Sequence, residues 1–255
     1  MKLLALDFDG VICDSARETG LSAWKAAREL WPECCNADEM PEKLMQEFIE
    51  VRPYLEIGYQ SPLMLKMLLE KLPLGEFQDR LEDNCRRIML ESAMNSESMI
   101  KLFSQTRKQW MEQDLEGWLG AHGFYAGVIP ALQEALKLQE LRILTTKQEC
   151  FTLPLLTGQG VDFPKEKIWG LERKTPKEEL LLRLQREGWK QIIFVEDRLE
   201  TLLRVMQIPQ LDGVRLYYAL WGYGTDKEKQ QAASIERIKC INLNDFQEVL
   251  RDTEH

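Results

Sequence analysis

The sequence is short of what several classes of function require. It has two histidines, and its six cysteines (positions 13, 34, 35, 85, 150 and 240) do not fall at metal-ligand spacing, which excludes a Cys/His zinc site. No apolar run approaches the roughly 18 residues of a membrane span. The short apolar run at the N-terminus is broken by Asp7 and Asp9 before it resembles a signal peptide. Basic residues are outnumbered, 33 Lys and Arg against 42 Asp and Glu, and the net charge of −9 leaves no footprint for nucleic acid. Internal repeats and low-complexity segments are also lacking. Scattered thiols suit a reducing compartment, so the expectation is a cytoplasmic protein with a small-molecule partner, and no nucleic acid or membrane. The vicinal Cys34–Cys35 pair reads as a local disordered loop or packing, with redox activity the alternative.

What is present alternates between two textures. "KLLALDF" (2–8), "LRILTT" (141–146), "QIIFVE" (191–196) and "VRLYYAL" (214–220) are short, continuous apolar runs, as in strands buried on both faces of a parallel sheet. "KIWG" (167–170) and "IKCINL" (238–243) are weaker strand candidates. Helical patterns cover 129–139, 176–187, 199–207 and 243–251. This alternation predicts a doubly wound α/β domain. Residues 15–124 read differently, as successive amphipathic helices over 16–30, 41–50, 62–71, 76–94 and 97–118. The chain therefore divides into an α/β core, 1–14 with 125–255, and an inserted all-helical segment, 15–124. Ligands of open parallel sheets bind at the carboxyl ends of strands. A segment leaving from the end of the first strand is thus expected to act as a cap over the site.

Polar residues collect where the strands end. Asp7 and Asp9 follow the first strand, and Thr145, Thr146 and Lys147 end the second. Lys174 stands after "KIWG", and Glu196 with Asp197 ends "QIIFVE". In a parallel sheet these clusters meet at one edge. A carboxylate there is costly without a cation. These residue types suit phosphoryl transfer: one aspartate attacks phosphorus, and a second acid serves the leaving group and then water. A hydroxyl and a lysine bind phosphate oxygens, and Mg²⁺ neutralises the carboxylates.

"DFDGVICDS", "LRILTTK", Lys174 and "FVEDRLETL" resemble, in order, the four motifs of the haloacid dehalogenase-like superfamily. "AGVIPALQEALKLQELRILTTK" and "LWGYGT" are similar to its phosphoglycolate phosphatase-like branch. The resemblance covers the first 15 residues and nearly everything from 124 onward. It implies a Rossmann-like core with a helical cap, and a Mg²⁺-dependent phosphomonoester hydrolase acting on a small phosphorylated metabolite through an aspartyl-phosphate. Carried over, Asp7 is the nucleophile and Asp9 the general acid/base, which also lends its backbone carbonyl to the metal. Thr145 binds phosphate, Lys174 neutralises it, and Asp7, Asp9, Asp197 and Glu196 form the metal set. Gly10, Thr146 and Arg52 are the substrate-binding candidates; Arg52, in the joint "VRPYLEIGYQSP" (51–62), has a fork suited to a carboxylate or second phosphate.

The sequence departs from the family pattern at several points. Thr146 replaces the branch's usual Asn. Thr201 stands where the fourth motif has a second acid, and Glu196 or Glu200 is its substitute. Lys174 precedes Pro176 as the motif requires, whereas Lys177, the alternative, would lie inside the next helix. Three other readings stay open. A phosphomutase shares these motifs, an inactive regulatory or scaffold protein could retain the fold, and a dehalogenase would not need Asp9.

Overall fold

The computed structural model describes residues 2–251. By internal packing the described residues form two compact units, one made of residues 2–14 and 123–251 and the other of residues 15–122.

The first unit is built on a six-stranded parallel sheet. Its strands are β1 (Lys2–Leu6), β4 (Glu140–Leu144), β5 (Ile168–Trp169), β6 (Gln191–Glu196), β7 (Arg215–Ala219) and β8 (Ile238–Ile241), in the order β5-β4-β1-β6-β7-β8. Every strand the sequence predicts is there: β6 has the expected bounds, β4 starts one residue early, and the strands other than β6 stop one or two residues short of their expected ends. Leu3, Leu4, Ala5 and Leu6 are wholly buried, which explains why β1 is apolar on both faces. Register sets Leu6 beside Ile143 on one side and Val195 on the other, so β1, β4 and β6 finish level. The strand order turns about β1, which makes the ends of these three strands the switch-point crevice of a doubly wound sheet.

Six helices cover the sheet: α8 (Val128–Leu138), α9 (Glu149–Gly158), α10 (Lys177–Arg186), α11 (Leu199–Met206), α12 (Asp226–Ala233) and α13 (Leu243–Arg251). Two of them, α9 and α12, have no counterpart in the sequence reading. Leu180, Leu181, Leu184, Leu202 and Val205 on α10 and α11 pack with Phe194 of β6 in one apolar cluster. A separate antiparallel pair, β2 (Cys13–Asp14) with β3 (Gly123–Phe124), carries the chain out of this unit and back. That pairing puts the return crossing at 122–123, two residues before the expected boundary.

The second unit is helical throughout: α1 (Ala16–Leu30), α2 (Glu42–Val51), α3 (Ser61–Leu69), α4 (Leu74–Asp79), α5 (Leu81–Glu91), α6 (Ser96–Gln113) and α7 (Leu115–Gly120). Two helices expected to be continuous are broken, at Arg80 and at Asp114. At the second break Asp114 accepts the Gly117 N–H and so caps a new helix, a role its short carboxylate fills better than a helix-interior position. Trp24, Trp31, Trp110 and Trp118 are all buried, as packing residues would be.

Candidate active site

Asp7 is the first residue beyond β1, held by its N–H to the Val195 carbonyl at 3.0 Å. Its Oδ1 accepts from the Phe8 N–H at 2.7 Å and from Lys177 Nζ at 2.8 Å. No described residue gives a hydrogen bond to Oδ2, so one oxygen is pinned and the other is available. Lys177 also donates to Glu196 Oε2 at 2.7 Å, while Glu196 Oε1 accepts the N–H groups of Asp197 and Arg198 at 3.1 Å each. Asp7, Glu196 and Asp197 offer ligand atoms within 4.8 Å of one another, all three buried.

The charge here does not balance. Three buried carboxylates face one ammonium, leaving two negative charges uncompensated if all ionise. Removing such ions from water costs several kcal/mol apiece; a fully buried leucine nearby returns only about 2 kcal/mol. Burial pushes the Asp7 carboxyl well above its ordinary value, and Glu196 adds to this while Lys177 opposes it. Burial and Glu196 raise Asp197 to about 7. Burial works against the Glu196 carboxylate too, but Lys177 and two backbone N–H groups hold it below its usual value. Burial likewise opposes the Lys177 charge, yet Asp7 and Glu196 raise its pKa. A divalent cation fits this donor set: it is hard, prefers carboxylate oxygen, and supplies the two missing positive charges.

Around this cluster, Asp9 lies at the mouth with its side chain 22 % exposed, 3.1 Å from the buried Lys147 Nζ. Thr145, just past β4, accepts the Lys147 N–H on its Oγ1 at 3.0 Å, and no described residue takes its hydroxyl proton. The loop 221–224 is structural support for the cluster. The Tyr223 N–H donates to Asp197 Oδ2 at 2.7 Å and its hydroxyl to Asp14 Oδ1 at 2.8 Å. Trp221 Nε1 donates to the Val11 carbonyl at 3.2 Å. A Cβ on Gly222 would sit 2.3 Å from Asp197 Cβ, so only glycine lets the loop pass that close.

The sequence-derived candidates separate accordingly. Asp7, Asp9, Thr145, Glu196 and Asp197 come together at the sheet edge. Lys174 does not: it is exposed and left-handed (φ 49°) after a tight turn over Leu171–Arg173, and Lys177 takes the place beside Asp7. The turn swings Lys174 outward, while Pro176 starts α10 so that its first residue lies against the carboxylates. Gly10, expected at the substrate, spends its N–H on the Cys13 carbonyl. Its φ of +85° and a would-be Cβ only 2.0 Å from Asp197 Oδ2 make it a close-approach glycine. Thr146 is exposed, and Arg52 belongs to the helical unit, where it opens the turn Arg52–Tyr54. Of the two glutamates, Glu196 is in the cluster, whereas Glu200 faces outward and pairs with Arg204 at 2.7 Å. Thr201 accepts from the same arginine at 3.3 Å. Lys147, which the sequence places at the same strand end without a role, is buried beside Asp9.

No protein-family model and no curated protein sequence matches this chain. Solved structures do. A protein from Haemophilus somnus described as a predicted phosphoglycolate phosphatase superposes with a TM-score of 0.61 at 19% identity, over 98% of this chain and 97% of that one. A predicted phosphatase from Clostridium acetobutylicum gives 0.59 at 14% identity, over 98% and 97%. A haloacid dehalogenase-like family hydrolase from Streptococcus pneumoniae gives 0.58 at 14% identity, again over 98% and 97%. At such identities the likeness speaks for the fold alone, a parallel α/β core that this chain shares with these structures.

Proposed function

We propose that this chain is a phosphomonoester hydrolase working through an aspartyl-phosphate on Asp7, with Mg²⁺ as its cation. The observation that carries the reading is the Asp7 carboxylate itself, one oxygen fixed by Lys177 and a backbone N–H, the other open, in a cluster short of positive charge. Asp7 and Asp197 would hold the cation with Glu196 beside them, and the cation would shield the phosphate's charge from the attacking carboxylate. Asp7 Oδ2 attacks phosphorus while Asp9 gives its proton to the departing alkoxide. Asp9, now a carboxylate, then takes a proton from the water that cleaves the acyl-phosphate. Thr145, by its uncommitted hydroxyl proton, and Lys177 bind phosphate oxygens, where charge is spread in the transition state. Glu196 orients Lys177. The substrate is a small phosphorylated metabolite, and the helical unit inserted between β2 and β3 is the source of selectivity.

A screen of phosphorylated metabolites for phosphate release with and without Mg²⁺ tests this directly. Turnover that depends on the metal and disappears in Asp7→Asn is the expected result. Wild-type protein that releases no phosphate, with no thermal response to Mg²⁺ or Mn²⁺, would instead favour a non-catalytic protein on the same fold.

A further inference from the structure

The phosphatase reading leaves Lys147 without a task, and its setting is unusual for an idle residue. Its side chain is 2 % exposed, yet its ammonium does not enter the Asp7 cluster: it lies 3.1 Å from Asp9 Oδ1. The backbone on either side is fixed. The Lys147 N–H goes to Thr145 Oγ1 at 3.0 Å, and its carbonyl accepts the Leu171 N–H at 3.1 Å. Gly170 passes so close that a Cβ there would lie 2.7 Å from that carbonyl. A buried lysine with a locked backbone therefore presents a charge to the partly exposed Asp9 carboxyl. Burying an ammonium is unfavourable unless a partner compensates it, and the partner here is Asp9.

We propose that Lys147 is a positioning residue for Asp9, fixing the carboxyl for proton transfer and stabilising the charge it acquires. The proposal rests on the phosphatase reading and adds a residue to it. As the P–O bond to the leaving group breaks, the Asp9 proton moves to the leaving oxygen and Asp9 becomes an anion. Negative charge thus grows on Asp9 in the transition state, next to a fixed ammonium that costs no reorganisation at that moment. In the second half-reaction the Asp9 carboxylate accepts a proton from the attacking water, returning to the acid form. Lys147 keeps its own protons throughout. It differs in this from Lys177, whose partners are Asp7 and Glu196 and whose expected contact is the phosphate.

The test uses aryl phosphates whose leaving phenols span a range of pKa, from p-nitrophenyl to phenyl phosphate. With its acid in place the wild-type enzyme is expected to show a shallow dependence on leaving-group pKa of kcat/KM, which reports the first half-reaction alone. Asp9→Asn should steepen it, losing about 10²- to 10³-fold on phenyl phosphate and far less on p-nitrophenyl phosphate. Lys147→Met should show the same pattern at about 10-fold or more on phenyl phosphate, with KM unchanged. In Asp9→Asn/Lys147→Met the second change should add nothing, because its target is already gone. Lys147→Arg, which restores the charge, should recover most of the shallow dependence, and it carries the test if the Met variant does not fold. Losses equal on both substrates, a raised KM, additivity with Asp9→Asn, or a folded Lys147→Arg that recovers nothing would each overturn the assignment. Failure of the phosphatase reading is separate: it would appear as turnover surviving in Asp7→Asn.

Discussion

Each unit buries an ionic cluster, and the two are balanced differently. In the helical unit Glu18, fully buried, receives both arms of Arg107 at 2.8 and 2.7 Å and the Ser22 hydroxyl at 2.6 Å, with His122 Nε2 3.6 Å away. Arg107 also donates to Thr19 and lies over the Phe103 ring, 4.5 Å from its centroid. One carboxylate meets one permanent cation, and the remaining capacity goes to hydroxyls and rings. In the sheet unit three carboxylates meet one lysine. In the first cluster the carboxylate is matched by a cation of its own unit. The second is left in debt by its own chain, which marks it as a place for a ligand.

The strongest way to break this comparison is at Asp7. Asp7→Asn should lower phosphate release by at least about 10³-fold, since an amide is no nucleophile. In metal-free buffer its melting temperature should rise, because one of three crowded carboxylates is gone. Activity assays and thermal unfolding read both outcomes, and a fall in stability would contradict the imbalance. At the balanced cluster the opposite holds. Arg107→Met strands the Glu18 carboxylate and should cost about 3–5 kcal/mol in denaturant unfolding, with no change in the response to Mg²⁺.

The third expectation concerns the metal. Saturating Mg²⁺ should raise the wild-type melting temperature by about 5 °C through binding to the native state. Asp197→Asn should remove that shift and Thr201→Ala should leave it, and a calorimetric scan distinguishes them. The pH dependence follows from the same residue. Asp197 is raised from 3.8 to about 7 in the native protein, so the folded state binds the proton more tightly than the unfolded one. Its contribution to stability is therefore greatest below about pH 4 and is lost as pH rises towards 7. Metal-free wild type should lose stability over that window more steeply than Asp197→Asn, as urea titrations at several pH values would show. The smallest effect is expected at Lys174. Lys174→Gly relieves a left-handed residue and should gain roughly 0.5 kcal/mol, leaving activity within about two-fold.

Much of this arrangement was legible beforehand, for identifiable reasons. Strands such as β1 and β6 are covered on both faces, so burial wrote itself into unbroken apolar runs ending on acids. Helix α9 escaped because Pro154 interrupts its pattern, and α12 because only Ala232 among its residues is buried, its start being secured by the Thr225–Glu228 capping box. Position before the proline favours Lys174, whereas helix electrostatics favours Lys177 and is the better signal. Lys177 is the first residue of α10, where the helix dipole repels a cation, so a lysine there asks for an anionic partner. The service of Gly10 and Gly222 to Asp197 was beyond local reasoning, because both are set by a carboxylate nearly 190 and 25 residues away in sequence, respectively.

The short pairing of Cys13–Asp14 with Gly123–Phe124 has a consequence for how such a chain can change. To the sheet, residues 15–122 amount to one long loop whose two ends are clasped together by a ladder of backbone bonds. Whatever is spliced between those ends meets the same two anchor points, and the six strands keep their register regardless of what it is. The helical insert is thus free to diverge, lengthen or be exchanged while the carboxylates at the strand ends remain where they are.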